Sequence, residues 1–271
     1  MHNTMKVKCF KLVGVAVLCA MSAGAYADIH GATEAYEKGN YPAAFKEFRR
    51  LADSGDAVAQ YNLGLMYQKG QGVRQDFKEA AEWYERSAKQ GDADAKTSLG
   101  VLYQYGEGVT RNYDEASSLY HQAAGQGHAG AMLNIGQMYH NGIGVARSHK
   151  EAAWWYRKAA DLGNSMAQYN LGVLYENGQG VLQDIKEAIS WYTKSADQKN
   201  PKALNSLGVL YENGQGVPQS WMEAHKWYNL AAGEGYESAE RNRRNTEYRL
   251  SEAKVEQAQA MARKWLAEHS K

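Results

Sequence analysis

Cysteine and proline are almost missing from this chain of 271 residues, which contains two cysteines and three prolines. Cys9 and Cys19 both precede residue 28, so the rest of the chain has no disulfide and must be held by packing alone. An excess of one charge is missing as well, since 31 basic and 30 acidic residues leave a formal net charge of +1. This balance gives no reason to expect nucleic acid or an anionic membrane surface as a partner.

Sequence signatures of catalysis and metal binding are also missing. The chain has no H-E-x-x-H, no nucleophile elbow and no phosphate-binding loop, and its histidines lack metal-ligand spacing. Ser251 and Lys254 fit the S-x-x-K element of serine β-lactamases, but no S-D-N or K-T-G element accompanies it, and Ser251 is better explained as a helix cap. We therefore expect no catalytic residue, no metal and no cofactor.

What the chain does have is a strict repeat of 36 residues. A Leu-Gly or Ile-Gly pair returns five times, each followed by a tyrosine four residues after the Leu or Ile. The first residues of the pairs are Leu63, Leu99, Ile135, Leu171 and Leu207, and the tyrosines are Tyr67, Tyr103, Tyr139, Tyr175 and Tyr211. A period of this size is typical of a helical solenoid, in which each unit buries its apolar face against its neighbours.

Each repeat predicts two helices. In residues 164–199, Ala167, Leu171 and Leu174 recur at intervals of three and four, and this stripe predicts a first helix, helix A. A wider apolar stripe that begins at Ile185 and includes the Trp191-Tyr192 pair predicts a second helix, helix B. Because the Trp-Tyr pairs fall on this stripe in the same register, we expect them in the core rather than in a ligand site.

Glycines and capping residues mark the helix ends in every repeat. Two glycines, such as Gly178 and Gly180, separate helix A from helix B, and the first can end helix A in the left-handed conformation. Each helix B begins with an N-cap residue followed three residues later by a glutamate, which predicts a capping box. The N-cap residues are Asp76, Asn112, Ser148, Asp184 and Ser220, and the glutamates are Glu79, Glu115, Glu151, Glu187 and Glu223.

The string LG-x-x-Y-x-x-G-x-G-V, followed by an alanine-rich segment with Trp-Tyr, resembles the Sel1-like repeat, a relative of the tetratricopeptide repeat with a longer loop. The resemblance covers five units, which we number repeats 1 to 5: residues 56–91, 92–127, 128–163, 164–199 and 200–235. It implies an all-α fold, a right-handed α/α superhelix or solenoid of antiparallel helix pairs, that acts mainly as an adaptor for other proteins. Some secreted members, described as penicillin-binding or β-lactamase-like, carry a cysteine pair in each repeat, and this chain departs from that branch.

Shorter segments flank the repeats. Residues 28–55 predict a tetratricopeptide-like hairpin that caps the first repeat, and residues 236–271 predict a C-terminal pair of capping helices. Residues 1–27 have the form of a secretory signal peptide with an A-x-A cleavage site, and we expect cleavage after Ala27. This predicts a periplasmic location, with secretion as an alternative, and no stable membrane insertion after cleavage. A lipid anchor at Cys19 is the weaker interpretation because the bulky Leu18 precedes it.

Binding residues are expected on helix A, which superhelices of this kind present along a concave surface. The candidates are outward positions of helix A where the repeats differ or carry small polar side chains: Tyr61, Asn62, Ser98, Tyr105, Asn134, His140, Asn141, Tyr169, Asn170, Asn177, Ser206 and Asn213. For Asn62, Ser98, Asn134, Asn170 and Ser206 a structural hydrogen bond is the alternative interpretation.

The sequence thus predicts a monomeric, non-enzymatic adaptor of the cell envelope that holds a protein or peptide on its concave face. An envelope hydrolase or penicillin-binding protein and a secreted effector are the alternatives. A partner's identity does not follow from the residues.

Overall fold

The computed structural model describes residues 23–269, with side chains from residue 28 onward. Within these residues the chain forms fourteen helices and no strands. The helices are α1 (Ala23–Glu37), α2 (Tyr41–Asp53), α3 (Ala57–Lys69), α4 (Phe77–Lys89), α5 (Ala93–Tyr105), α6 (Tyr113–Gly125), α7 (Ala129–Asn141), α8 (His149–Asp161), α9 (Ser165–Asn177), α10 (Ile185–Ala196), α11 (Pro201–Asn213), α12 (Trp221–Gly233), α13 (Glu237–Glu247) and α14 (Glu252–Glu268). The predicted all-α solenoid is confirmed.

Five consecutive helix pairs, from α3/α4 to α11/α12, correspond to the five repeats, and each helix packs on its neighbours along the chain. The α1/α2 hairpin covers the first repeat, while α12 packs against both α13 and α14. Helix α1 begins at Ala23, inside the segment expected to be a signal peptide, and the basic and apolar parts of that segment lie outside the described residues.

Side chains cap both helices of every repeat. At the start of α10, the Asp184 carboxylate accepts a hydrogen bond of 3.0 Å from the backbone N–H of Glu187, as an N-cap residue should. The glutamate half of the predicted capping box does not form, because the backbone N–H of Asp184 donates instead to the carbonyl of Tyr175 at 3.0 Å. The carboxylate of Glu187 is therefore available for contacts with neighbouring repeats.

The two turn glycines are needed for different structural reasons. Gly178 ends α9 in the left-handed conformation with φ 64°, as predicted. Gly180 also has a positive φ of 72°, and a Cβ built on it would lie 2.3 Å from the backbone carbon of His149 in the preceding repeat. The second glycine is thus required for close contact between the turn of one repeat and the start of helix B in the repeat before it.

The core contains one tyrosine from helix B of every repeat: Tyr84, Tyr120, Tyr156, Tyr192 and Tyr228 are all exposed by 2% or less. The glycine after each Leu or Ile makes room for this ring, since a Cβ on Gly172 would lie 2.7 Å from two ring carbons of Tyr192. A side chain at this glycine would therefore collide with the aromatic ring that occupies the space.

The tryptophans follow the core prediction with one exception. Trp83, Trp191 and Trp227 are buried, with 2%, 2% and 7% exposure. Trp155 in repeat 3 is only half-buried, and Trp154 beside it is 49% exposed. Their indoles meet edge to face with centroids 4.6 Å apart, so repeat 3 differs from the other repeats on its helix B side.

Candidate functional site

The predicted binding residues near the ends of the A helices are the most accessible. Tyr105 at the end of α5 is 65% exposed, and Asn141, Asn177 and Asn213 occupy the same position in later repeats and are exposed as well. The Asn177 side chain donates to the carbonyl of Val173 in its own helix at 2.8 Å. These four side chains can contact a partner without repacking of the core.

Tyr61 and Tyr169 are half-buried instead. Each ring lies 5.7 Å, centroid to centroid, from a core tyrosine, Tyr84 for Tyr61 and Tyr192 for Tyr169. Burial, with a further contribution from Asp94, raises the pKa of the Tyr61 hydroxyl to about 12. These rings pack against the core and also form part of the surface. Their removal would therefore change both core packing and the exposed surface.

The row of small polar residues contains hydrogen-bonding groups for the core tyrosines. Ser98 faces the hydroxyls of Tyr61 and Tyr84 and lowers both pKa values, against the larger effect of burial, which raises them. Asn170 and Ser206 act in the same way on Tyr156 and Tyr192 respectively. Asn62 donates to the carbonyl of Val58 in its own helix at 2.9 Å, and Asn134 is half-buried. For most of this row the structural interpretation therefore has specific partners.

His140 packs inside repeat 3. Its ring centroid lies 5.0 Å from that of His149 and 6.4 Å from that of Tyr156. Burial, followed by the charges of His149 and Arg147, lowers the pKa of its imidazole. In other repeats the same position carries a side chain that accepts from the core tyrosine, such as Gln68 for Tyr84 at 2.6 Å.

A contact between repeats that sequence reasoning missed lies on the helix B side. Arg157 of α8 donates to the hydroxyl of Tyr175 at 2.6 Å and to the carboxylate of Glu187 at 3.5 Å. Its guanidinium carbon also lies 4.7 Å from the ring centroid of Trp191. Tyr175, Glu187 and Trp191 all belong to the next repeat, so one arginine binds three side chains across the boundary.

Two of these three contacts recur three repeats earlier. Arg49 of α2 donates to the Tyr67 hydroxyl at 3.3 Å, and its guanidinium carbon lies 5.1 Å from the ring centroid of Trp83. A comparison of the repeats column by column could have shown the recurring tyrosine, glutamate and tryptophan, but not that an arginine from another repeat reaches them.

A groove with a volume of about 590 Å³ lies at the corresponding place in repeat 3. Its walls include Tyr139, Glu151 and Trp155, with Trp154 at its side, and it extends to His121 of repeat 2 and to Tyr175 of repeat 4. In the part of the chain that the structure describes, no three His, Cys, Asp or Glu side chains are grouped as metal ligands. Ser251 is the N-cap residue of α14, as predicted, but its exposed side chain makes no capping hydrogen bond.

The sequence profile of the Sel1 repeat matches five consecutive segments: 57–92, 93–128, 129–164, 165–200 and 201–236. The chain belongs to the Sel1 repeat family. Sel1 repeat proteins are generally protein-interaction scaffolds and typically non-catalytic. Among the helices that the structure describes, none has the length and apolar character needed to cross a bilayer.

Two solved structures show the similarity over most of the chain. A Sel1 repeat protein from Oxalobacter formigenes has a TM-score of 0.76 and 29% identity, covering 87% of this chain and 99% of that protein. A protective antigen present in uropathogenic Escherichia coli strains, displaying an SLR fold, has a TM-score of 0.55 and 30% identity, covering 91% of this chain and 61% of that protein.

Among curated proteins, DAP3-binding cell death enhancer 1 from Rattus norvegicus is 44% identical over 48 residues. These residues are 18% of this chain and 9% of that protein. The likeness therefore concerns a short stretch of this chain.

Proposed function

We propose that this Sel1 repeat protein is an adaptor of the bacterial cell envelope that binds a protein or peptide along its A helices. The observation that carries the proposal is the exposure of the row Tyr105, Asn141, Asn177 and Asn213 at one position of four consecutive A helices. An aromatic ring and primary amides can hold an extended segment by stacking and by hydrogen bonds to its backbone. The spacing of this row by whole repeats suits a segment that runs along the stack.

The test is affinity capture from the envelope fraction of the native cells with the full chain as bait. A row variant combines Tyr105→Ser, Asn141→Ala and Asn213→Ala. A matched control, Glu82→Ala, Ser118→Ala and Ser190→Ala, changes three exposed residues of helix B. The row variant should lose the captured partner while its helical circular dichroism is unchanged. Equal capture by both variants would contradict the proposal.

The envelope location rests on the sequence of residues 1–27. Expression of the full chain in a Gram-negative host, followed by fractionation and N-terminal sequencing, tests it. We expect a periplasmic chain that begins at Asp28. A chain that keeps residues 1–27 in the cytoplasm would refute export, and recovery from the culture medium would favour the secreted alternative.

A further inference from the structure

Tyr139, Glu151 and Trp155 form one of four equivalent groups in the chain, each with a tyrosine at the end of helix A and a glutamate and a tryptophan on helix B of the same repeat. We call each group a clamp. The clamps are Tyr67/Glu79/Trp83 in repeat 1, Tyr139/Glu151/Trp155 in repeat 3, Tyr175/Glu187/Trp191 in repeat 4 and Tyr211/Glu223/Trp227 in repeat 5. Repeat 2 has Leu119 in the tryptophan position and has no clamp.

An arginine of this chain contacts all three residues of one clamp and two residues of another. Arg157 occupies the clamp of repeat 4 through the Tyr175 hydroxyl and the Glu187 carboxylate, over the face of Trp191. Arg49 reaches two members of the clamp of repeat 1, the Tyr67 hydroxyl and the ring of Trp83, while its carboxylate partner is Asp53 of its own helix rather than Glu79. The planar guanidinium suits this combination because it can donate in its plane and stack on an aromatic face.

The clamp of repeat 5 is closed without an arginine. Thr193 stands in the arginine position. Lys226 pairs with Glu223 at 2.7 Å and lies 4.0 Å from the ring centroid of Trp227. Trp265 of the C-terminal helix α14 then packs edge to face on Trp227, with centroids 5.9 Å apart.

The clamp of repeat 3 is open. His121 stands in the arginine position, and its Nδ1 lies 2.8 Å from the carbonyl oxygen of Ser117 in its own helix. The imidazole meets the Trp155 ring edge to face at 5.3 Å, so it does not fill the space of a longer side chain. The groove of about 590 Å³ lies here. Among the described residues, no ion pair involves Glu151, whose side chain is exposed.

We infer that the clamp of repeat 3 binds an arginine side chain presented by a partner protein. Its guanidinium would donate to the Tyr139 hydroxyl and the Glu151 carboxylate and stack on Trp155, as Arg157 does one repeat further on. The half-exposed Trp154 then covers the stem of the arginine and the residue beside it. This inference rests on the proposed scaffold function but uses a surface other than the A helix row.

Three cations near the groove make an acidic side chain the alternative ligand to arginine. Arg157 is already bound to Tyr175 and Glu187, and Lys158 lies 3.8 Å from the ring centroid of Trp154 and 5.6 Å from that of Trp155. Lys150 is exposed at the wall of the groove. The internal precedent of Arg157 favours arginine, because it places that side chain among the same three residue types, and Arg49 makes the tyrosine and tryptophan contacts of the same group.

The test uses three amidated and acetylated peptides, Gly-Arg-Gly, Gly-citrulline-Gly and Gly-Glu-Gly, titrated into the full-length protein. Binding is followed by the NMR shifts of the tryptophan indole N–H signals, with Trp155 assigned from the Trp155→Phe variant. Citrulline keeps the shape of arginine without its charge. We expect the arginine peptide to shift the Trp155 signal and to bind at least about tenfold more tightly than the citrulline peptide.

Two variants test the site itself. His121→Arg places an arginine in the same register as Arg157, so it should fill the clamp, raise the thermal unfolding midpoint and weaken peptide binding at least about tenfold. Glu151→Gln removes the carboxylate at an exposed position and should weaken binding without unfolding the protein. Glu82→Gln, on an exposed part of α4, is the control and should leave binding unchanged.

Equal binding of the arginine and citrulline peptides, stronger binding of the glutamate peptide, or undiminished binding by His121→Arg would each overturn the inference. The row variant of the proposed function should still bind the arginine peptide. The two proposals can therefore fail separately. Capture by the row variant tests the proposed function, and peptide binding by His121→Arg tests the clamp of repeat 3.

Discussion

The indole N–H of Trp191 donates to the carboxylate of Glu187 at 2.9 Å, one turn earlier in α10. The same carboxylate oxygen lies 3.5 Å from a guanidinium nitrogen of Arg157 in the preceding repeat. Glu187 can make both contacts because the backbone N–H of Asp184, its expected capping-box partner, is bound to the carbonyl of Tyr175. The residue thus links neighbouring repeats rather than capping its helix.

Replacement of Arg157 by alanine is expected to lower the free energy of unfolding by about 1–2 kcal/mol, since it removes a charged hydrogen bond to Tyr175 and the guanidinium beside Trp191. The Arg157 side chain is 37% exposed, which keeps the loss at the lower part of the usual range. Urea unfolding measures it. Arg157→Lys keeps the charge without the planar fork and should recover only part of the loss, so full recovery by lysine would contradict this account.

Gly172→Ala is expected to destabilise the protein by about 1–3 kcal/mol. The new methyl group would lie 2.7 Å from the Tyr192 ring, and this buried ring cannot move without displacing its neighbours. The matched control is Gly31→Ala in α1, where a Cβ has nothing within 4 Å and alanine should be neutral or stabilising by up to about 1 kcal/mol. Thermal unfolding of the two variants compares them, and equal midpoints would refute the steric explanation.

Asp184→Ala is expected to cost about 1 kcal/mol because it removes the side-chain acceptor for the Glu187 N–H at the start of α10. Asp184→Ser keeps an acceptor and should stay near the parent protein, as Ser148 and Ser220 perform the same role in other repeats. Hydrogen exchange at the first turn of α10 reads out the local effect. Identical exchange in the alanine and serine variants would show that the side-chain cap does not stabilise the first turn of α10.

His225 is expected to make the protein less stable in mild acid. Its Nδ1 lies 2.9 Å from the hydroxyl oxygen of Thr246, while its buried Nε2 has no hydrogen-bond partner in the described residues. Burial lowers the pKa of His225 from its ordinary value, the positive charge of Arg243 adds to this effect, and Glu247 and a hydrogen bond to the backbone of Arg243 oppose it. The unfolded chain therefore binds a proton more readily than the folded one.

Because the folded pKa is the lower one, stability should fall as the pH drops through about 6.5 and level off below the folded pKa of His225. Urea unfolding between about pH 8 and about pH 5 measures this dependence. His225→Gln should reduce the dependence without abolishing it, because the pKa of His140 is lowered as well. An unchanged pH profile in His225→Gln would exclude His225 as a source of the pH dependence of stability.

The candidate site was predictable only in part. Exposure at Tyr105, Asn141 and Asn213 follows from their place at the ends of A helices, whereas the partial burial of Tyr61 and Tyr169 depends on core tyrosines from helix B. The signal for the open clamp was present in two columns of the repeat. His121 stands at a position that is arginine only at Arg49 and Arg157, and Trp154 stands at a position that is otherwise polar. Neither residue indicates a binding site until the contacts between repeats are known.

The sequence by itself determined the local structure of this protein. The 36-residue period, the N-cap residues and the turn glycines act within a few residues of one another, so they define the helices and their order without reference to the rest of the molecule. Only the tertiary structure decided where Glu187 and Arg157 make their contacts and which clamp stays open. Those contacts join residues 18 and 30 positions apart in different repeats, and the stacking of one repeat on the next brings them together.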